Sequence, residues 1–145
     1  MNQIDYSSPD LLRFPPPAYK ANAENFWIGL GEGEIRLPYC QACDRWTWYP
    51  APRCTTCGRA SLEWRSAPTI GSIFSYTRVR RNFLPTDDVS VPYVVALVEL
   101  DGVADVRLVM TVPESKEKEL RVAAPVKVVI DRSGDHPVMY AELLT

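Results

Sequence analysis

Four cysteines stand in two pairs, Cys40-x2-Cys43 and Cys54-x2-Cys57, within the stretch YCQACDRWTWYPAPRCTTCG. This spacing constrains the chain more than any other feature. A two-residue gap sets each pair at the tip of a knuckle, and two knuckles converge on one tetrahedral metal. The same gap strains a disulfide within a pair, and an intracellular chain would keep its thiols reduced. Four sulfur ligands suit zinc or iron alike. Zinc held by four thiolates has no open position and contributes folding energy as a scaffold. Iron in the same cage makes a one-electron carrier.

The loop between the pairs carries Trp46, Trp48 and Tyr49. These rings have the placement to shield a metal, but a ribbon this small has little other core, and the simpler reading is that they supply its buried area. Upstream, residues 1–17 contain Pro9, Pro15, Pro16 and Pro17. Proline fixes φ and removes backbone donors, so an extended arm is expected there, one that orders on a partner. From Tyr19 the apolar positions Tyr19, Ala23, Phe26, Trp27 and Leu30 follow helical spacing, and Gly31 and Gly33 supply stop signals. The spacing predicts a short amphipathic helix, packed on its own domain or on a partner.

Beyond Ser61–Trp64, which reads as the strand closing the ribbon, Pro68 and Gly71 mark a boundary. Five runs rich in β-branched and aromatic residues follow, at 70–80, 93–100, 103–112, 126–131 and 138–143. Asp101-Gly102 is a hairpin turn signal between the second and third. A helix is expected over 114–121. The order βββ-α-ββ suits a five-stranded OB barrel with a helix plugging one end, and five strands are few for an immunoglobulin-like sandwich. The expected architecture is mainly β: an arm and helix over 1–35, a metal-binding ribbon over 36–66, and an OB-fold over 67–145.

The net charge of −2 argues against a chain that coats nucleic acid, but the charge is unevenly placed. Between Arg36 and Arg81 lie eight arginines, no lysine and two acids, so this stretch carries +6 and the remainder −8. Arginine suits bidentate contact with phosphates or carboxylates, although arginine stems also cover apolar surface. No run of 18 apolar residues occurs and the first residues lack a signal-peptide pattern, which reads as a soluble cytoplasmic protein with no membrane role. If metal takes the four cysteines, no thiol remains as nucleophile, and the one histidine, His136, sits in the polar turn SGDHPV. No phosphate-binding glycine loop or nucleophile elbow occurs. The pattern is that of a binding or scaffolding unit with no catalytic residues of its own.

The stretches FWIGLGEGEIRLPYCQACDRWTWYPAPRCTTCG, LEW, GSIFSYTRVRRNF and PYVVALVEL, in that order, resemble the family of OB-fold proteins with a rubredoxin-like zinc ribbon, the acyl-CoA-associated small subunits of thiolase-like enzymes. The resemblance runs through most of residues 22–131. It implies an accessory subunit of a thiolase, acyltransferase or retro-aldolase acting on coenzyme A thioesters, with the catalytic groups on the partner. It also implies one structural zinc per chain on Cys40, Cys43, Cys54 and Cys57, a role for Phe26 and Trp27 in docking the partner, and an OB module near the coenzyme A entrance. Arg78, Arg80 and Arg81 are candidates for contact with the coenzyme A phosphates or with the partner. Two other readings stand beside it. A single-stranded nucleic-acid binder would use Phe74, Tyr76 and Phe83 as stacking platforms, against an acidic total charge. A rubredoxin-like iron electron carrier would use the cysteine cage itself.

Overall fold

The computed structural model describes residues 22–83, 91–114 and 117–145. The proline-bearing arm and Tyr19 lie outside them. One helix, α1 (Glu24–Gly31), leads into a three-stranded antiparallel sheet of β1 (Ile35–Cys40), β2 (Arg45–Trp46) and β3 (Leu62–Ala67), in the order β2-β1-β3. Five further strands close a barrel: β4 (Ile70–Val79), β5 (Tyr93–Leu100), β6 (Leu108–Thr111), β7 (Pro125–Asp131) and β8 (Val138–Leu143).

An isolated helix as short as α1 is marginal in water, so its ends and its buried face must hold it. Its C-terminus is a Schellman cap: Gly33 takes φ +84°, its N–H donates to the Leu30 carbonyl at 3.0 Å, and the Glu34 N–H donates to the Gly29 carbonyl at 2.8 Å. Gly33 is thus the stop signal in physical form. Phe26 and Leu30 are buried and pack into one cluster with Ile35 and Leu37 of β1 and with barrel residues such as Val94, Val98 and Met110. Helix, ribbon and barrel therefore share a continuous apolar core.

The barrel order is β4-β5-β6-β8-β7. Only β6 and β8 run parallel, joined at Thr111 and Tyr140, as the OB connection requires. Strict alternation in YVVALVEL turns Val94, Ala96, Val98 and Leu100 inward. Gly71 lies where β4 is sandwiched between Leu100 of β5 and Val126 of β7; a Cβ there would meet the Glu99 carbonyl oxygen at 2.0 Å. A bulge between Ile73 and Ser75 turns Phe74 outward.

Two expected elements differ. The third barrel strand starts at Leu108 rather than 103, because after the turn closed by Val103 N–H on the Leu100 carbonyl the chain turns again, with Asp105 at φ 63°. Val103 and Val106 are buried as loop residues, so their apolar character read as strand. The expected helix over 114–121 is absent among its described residues: 117–121 form a turn and an isolated bridge. That stretch has Leu120 as its core contact, too little apolar face to hold so short a helix. Ala123 at φ 68° then returns the chain to β4, its N–H donating to the Ile73 carbonyl at 2.8 Å.

Candidate functional site

The two knuckles are built alike. Cys40 ends β1, and the Asp44 N–H donates back to the Cys40 carbonyl at 2.9 Å with Asp44 at φ 55°. In the second knuckle the Gly58 N–H donates to the Cys54 carbonyl at 3.0 Å with Gly58 at φ +75°. Each Cys-x2-Cys is thus closed by a left-handed residue directly after its second cysteine. An Asp and a Gly at those two positions were the sequence signal for this geometry.

The four sulfurs lie within 4.8 Å of one another. Cys40 Sγ is 3.7 Å from Cys57 Sγ, and Cys43 Sγ is 3.6 Å from Cys54 Sγ. Zinc–sulfur bonds of about 2.3 Å place tetrahedral sulfurs about 3.8 Å apart, the separation these two pairs already have. A disulfide needs about 2.05 Å, and all four cysteines are free. Backbone N–H groups of Cys57 and Thr56 hold the Cys54 thiol down to about 6, the latter reaching its sulfur at 3.4 Å. Burial, with the neighbouring thiols, pushes the Cys43 thiol up to about 12. One sulfur is primed as a thiolate while another is reluctant to ionise beside it, and a bound cation relieves that conflict.

The ribbon's aromatics are mostly core. Trp46 and Trp48 pack against the shared cluster, with Trp46 5.1 Å from the Tyr39 ring and Trp48 5.0 Å from Phe26. Tyr49 is exposed. Phe26 is only 5% exposed and meets Trp27 edge-on at 5.3 Å, so it acts by holding α1 in place, while half-buried Trp27 and exposed Ile28 reach the surface.

Four of the eight arginines form ion pairs among the described residues. Arg36 pairs with Glu32 and Glu34, Arg45 with Asp105 at 3.9 Å, Arg65 with Glu63, and Arg78 with Glu114 at 2.6 Å. Arg80 and Arg81 lie past the end of β4 and are exposed, with Arg81 5.9 Å from the Phe83 ring centre. Of the proposed stacking rings, Phe74 and Phe83 are exposed, but Arg107 already covers Phe74 at 4.1 Å, and half-buried Tyr76 donates its hydroxyl to the Leu120 carbonyl at 3.5 Å. His136 is half-buried rather than exposed.

Sequence reasoning missed an apolar cleft of about 400 Å³ between α1, the ribbon loop and the barrel seam. Trp27, Trp48, Tyr49, Val109, Met110 and Met139 are among its walls. They come from distant segments, and no local pattern announces their meeting.

Two family models match end to end along the chain: the rubredoxin-like zinc ribbon domain of ChsH2 over residues 27–63 and the C-terminal OB-fold domain of ChsH2 over residues 64–131. The chain belongs to the ChsH2 family. Among solved structures, a chain of "Ltp2-ChsH2(DUF35) aldolase" is similar over 90% of this chain and 100% of its own length, with a TM-score of 0.76 and 22% identity. A DUF35-family protein of unknown function from Sulfolobus solfataricus is similar over 92% of this chain and 90% of its own, with a TM-score of 0.62 and 17% identity. No curated protein matches. The ChsH2 ribbon is a zinc ribbon, and the cysteine cage described above falls inside its match. Among the described residues, no helix is long and apolar enough to cross a membrane.

Proposed function

We propose that this ChsH2-family chain is a non-catalytic accessory subunit that binds and supports a thiolase-like enzyme acting on acyl-CoA thioesters. The observation that carries this reading is the likeness, across nine-tenths of the chain, to the ChsH2 component of an Ltp2-ChsH2 aldolase. The cysteine cage agrees with it: Cys40, Cys43, Cys54 and Cys57 would hold one structural zinc, with every coordination position filled by protein. Zinc bound there supplies folding energy. The chemistry of the thioester would belong to the partner in the hetero-oligomer.

In this reading α1, with Trp27 at the surface and Phe26 behind it, helps to dock the partner, and the OB barrel lies near the coenzyme A site. Arg80 and Arg81 are the better candidates for coenzyme A phosphates, since Arg78 is held by Glu114. The test is co-expression with a thiolase-fold enzyme encoded beside this chain, followed by affinity capture, metal analysis and thioester turnover. The reading expects about one zinc per chain, a stable complex, and turnover that requires both chains. Full turnover by the partner alone would refute it, and recovery of the chain as a red, iron-loaded protein without a partner would favour the electron carrier instead.

A further inference from the structure

The two knuckles of the cage are held very differently. The first is the tip of a strand ladder: Cys40 ends β1 opposite Arg45 of β2 and Leu62 of β3, and Tyr39 stands opposite Trp46. The Gln41 N–H donates to the Ser61 carbonyl at 3.1 Å, and the Gln41 side chain donates to Glu63. The turn also carries a side-chain brace. The Tyr39 hydroxyl donates to Asp44 Oδ1 at 3.0 Å, and Asp44 is the left-handed residue that closes this knuckle on the Cys40 carbonyl. Arg65 lies over the Tyr39 ring at 3.9 Å and holds that ring in place.

The second knuckle sits in open loop. Residues 47–61 belong to no strand. The knuckle closes on its own backbone, with the Gly58 N–H on the Cys54 carbonyl and the Cys54 N–H on the Arg59 carbonyl, both at 3.0 Å. The side-chain tie to it, from Arg53 Nη1 to the Gly58 carbonyl, is long at 3.4 Å. Every residue from Thr55 to Ala60 is exposed. The cysteines follow the same division: Cys40 and Cys54 are buried and Cys43 half-buried, but Cys57 is exposed. A segment with exposed backbone bonds and few packed contacts is where a fold opens first, and thiol chemistry follows access.

We propose that Cys57 is the modification site of the metal-loaded cage: its sulfur leaves the metal first and is taken by a soft electrophile of the α,β-unsaturated carbonyl class, while Cys40, Cys43 and Cys54 keep the ion. The metal–sulfur bond breaks with its electron pair on sulfur. That pair forms a carbon–sulfur bond at the β-carbon of the electrophile, and the α-carbon takes a proton from water, leaving hydroxide in solution. Tyr39 is a positioning residue here, since it braces the knuckle that stays. Cys43 and Cys54 bracket the loop bearing Trp48 and Tyr49, so the wall of the cleft outlasts the modification. The inference rests on the cage holding a metal and needs no partner chain.

The test treats the full-length, cobalt-loaded chain with about one equivalent of N-ethylmaleimide and maps the adducts by peptide mass spectrometry, reading the cobalt–thiolate charge-transfer absorbance in parallel. The proposal expects about fivefold or more adduct at Cys57 than at any other cysteine, and a singly labelled chain that keeps its cobalt with about a quarter of that absorbance lost. Tyr39→Phe keeps the ring under Arg65 but loses the bond to Asp44, so labelling at Cys43 should rise about threefold or more. Asp44→Asn keeps the acceptor oxygen and should label as the wild type does. Even labelling of the loaded chain, cobalt lost with the first label, or a Tyr39→Phe chain that labels like the wild type would each overturn the proposal. A chain that takes up no cobalt would overturn the cage as a metal site and this inference with it, whereas a loaded chain labelled evenly overturns this inference alone.

Discussion

Gly71→Ala tests whether the barrel closes as described. The added Cβ would lie 2.0 Å from the Glu99 carbonyl oxygen, 2.9 Å from its carbonyl carbon and 3.0 Å from the Leu100 Cα. All three atoms are backbone, so no side chain can swing aside. Restoring ordinary contact means parting β4 from β5 by more than an ångström at the residue that also pairs with Val126 of β7. Overpacking costs about 1–3 kcal/mol, and weakening a ladder hydrogen bond adds about 1, which puts the loss near 2–4 kcal/mol. For a chain of this size that corresponds to a fall in Tm of roughly 6–13 °C. The control is Gly31→Ala, where a Cβ meets nothing within 4 Å and alanine favours helix by about 0.5–1 kcal/mol. Thermal unfolding followed by circular dichroism reads both. A Gly71→Ala shift below about 3 °C, or one no larger than that of Gly31→Ala, would refute the close approach and with it this strand register.

Other consequences can be checked on the same protein. Gly58→Ala keeps free space around the new methyl but forces a left-handed φ on alanine, so a loss of about 1–2 kcal/mol is expected, read as a lower Tm of the metal-loaded chain. Removing metal with a strong chelator, or adding acid so that protons compete with it for the thiolates, should release about one zinc per chain to a colorimetric indicator; release of none would refute the cage as a metal site. Glu114→Gln should change stability by less than about 1 kcal/mol, because the Arg78 pair is partly exposed, whereas R80A/R81A in the complex should raise the KM for the coenzyme A thioester without lowering Tm. Oligonucleotide titration at low salt should give no binding at micromolar concentration, and salt-dependent binding there would revive the nucleic-acid reading.

What the sequence made legible was local. Strands β5 and β8 were readable to the residue, and the end of α1 was readable because Gly33 performs the stop that glycine signals, but its start, expected from Tyr19, falls at Glu24 because Asn22 at φ 63° and Ala23 are not helical. The cysteine cage was readable because covalent spacing alone forces two knuckles. Three things were hidden because they depend on what meets what across the fold. Val103 and Val106 are buried in a double turn, which apolar character cannot distinguish from a strand. The arginines read as one patch in sequence, but Arg36, Arg45, Arg65 and Arg78 each meet a carboxylate, Arg45 that of Asp105 some sixty residues on. The cleft gathers side chains from α1, the ribbon loop and three barrel strands.

The cage and the cleft are mechanically joined, which gives a structural metal a route to influence binding. Trp48 and Tyr49 lie between Cys43 and Cys54, so the loop carrying them is anchored at both ends by metal-ligand candidates. Trp48 is also tied to α1 through Phe26 at 5.0 Å, while the facing wall belongs to a barrel whose strands close on one another. Loss of the metal would therefore release one wall and leave the other standing, because the barrel's ladder does not pass through the ribbon. A metal held there could thus decide whether the cleft beside it has a shape without touching anything bound in it. That is a sufficient physical reason to gather four cysteines in one cage.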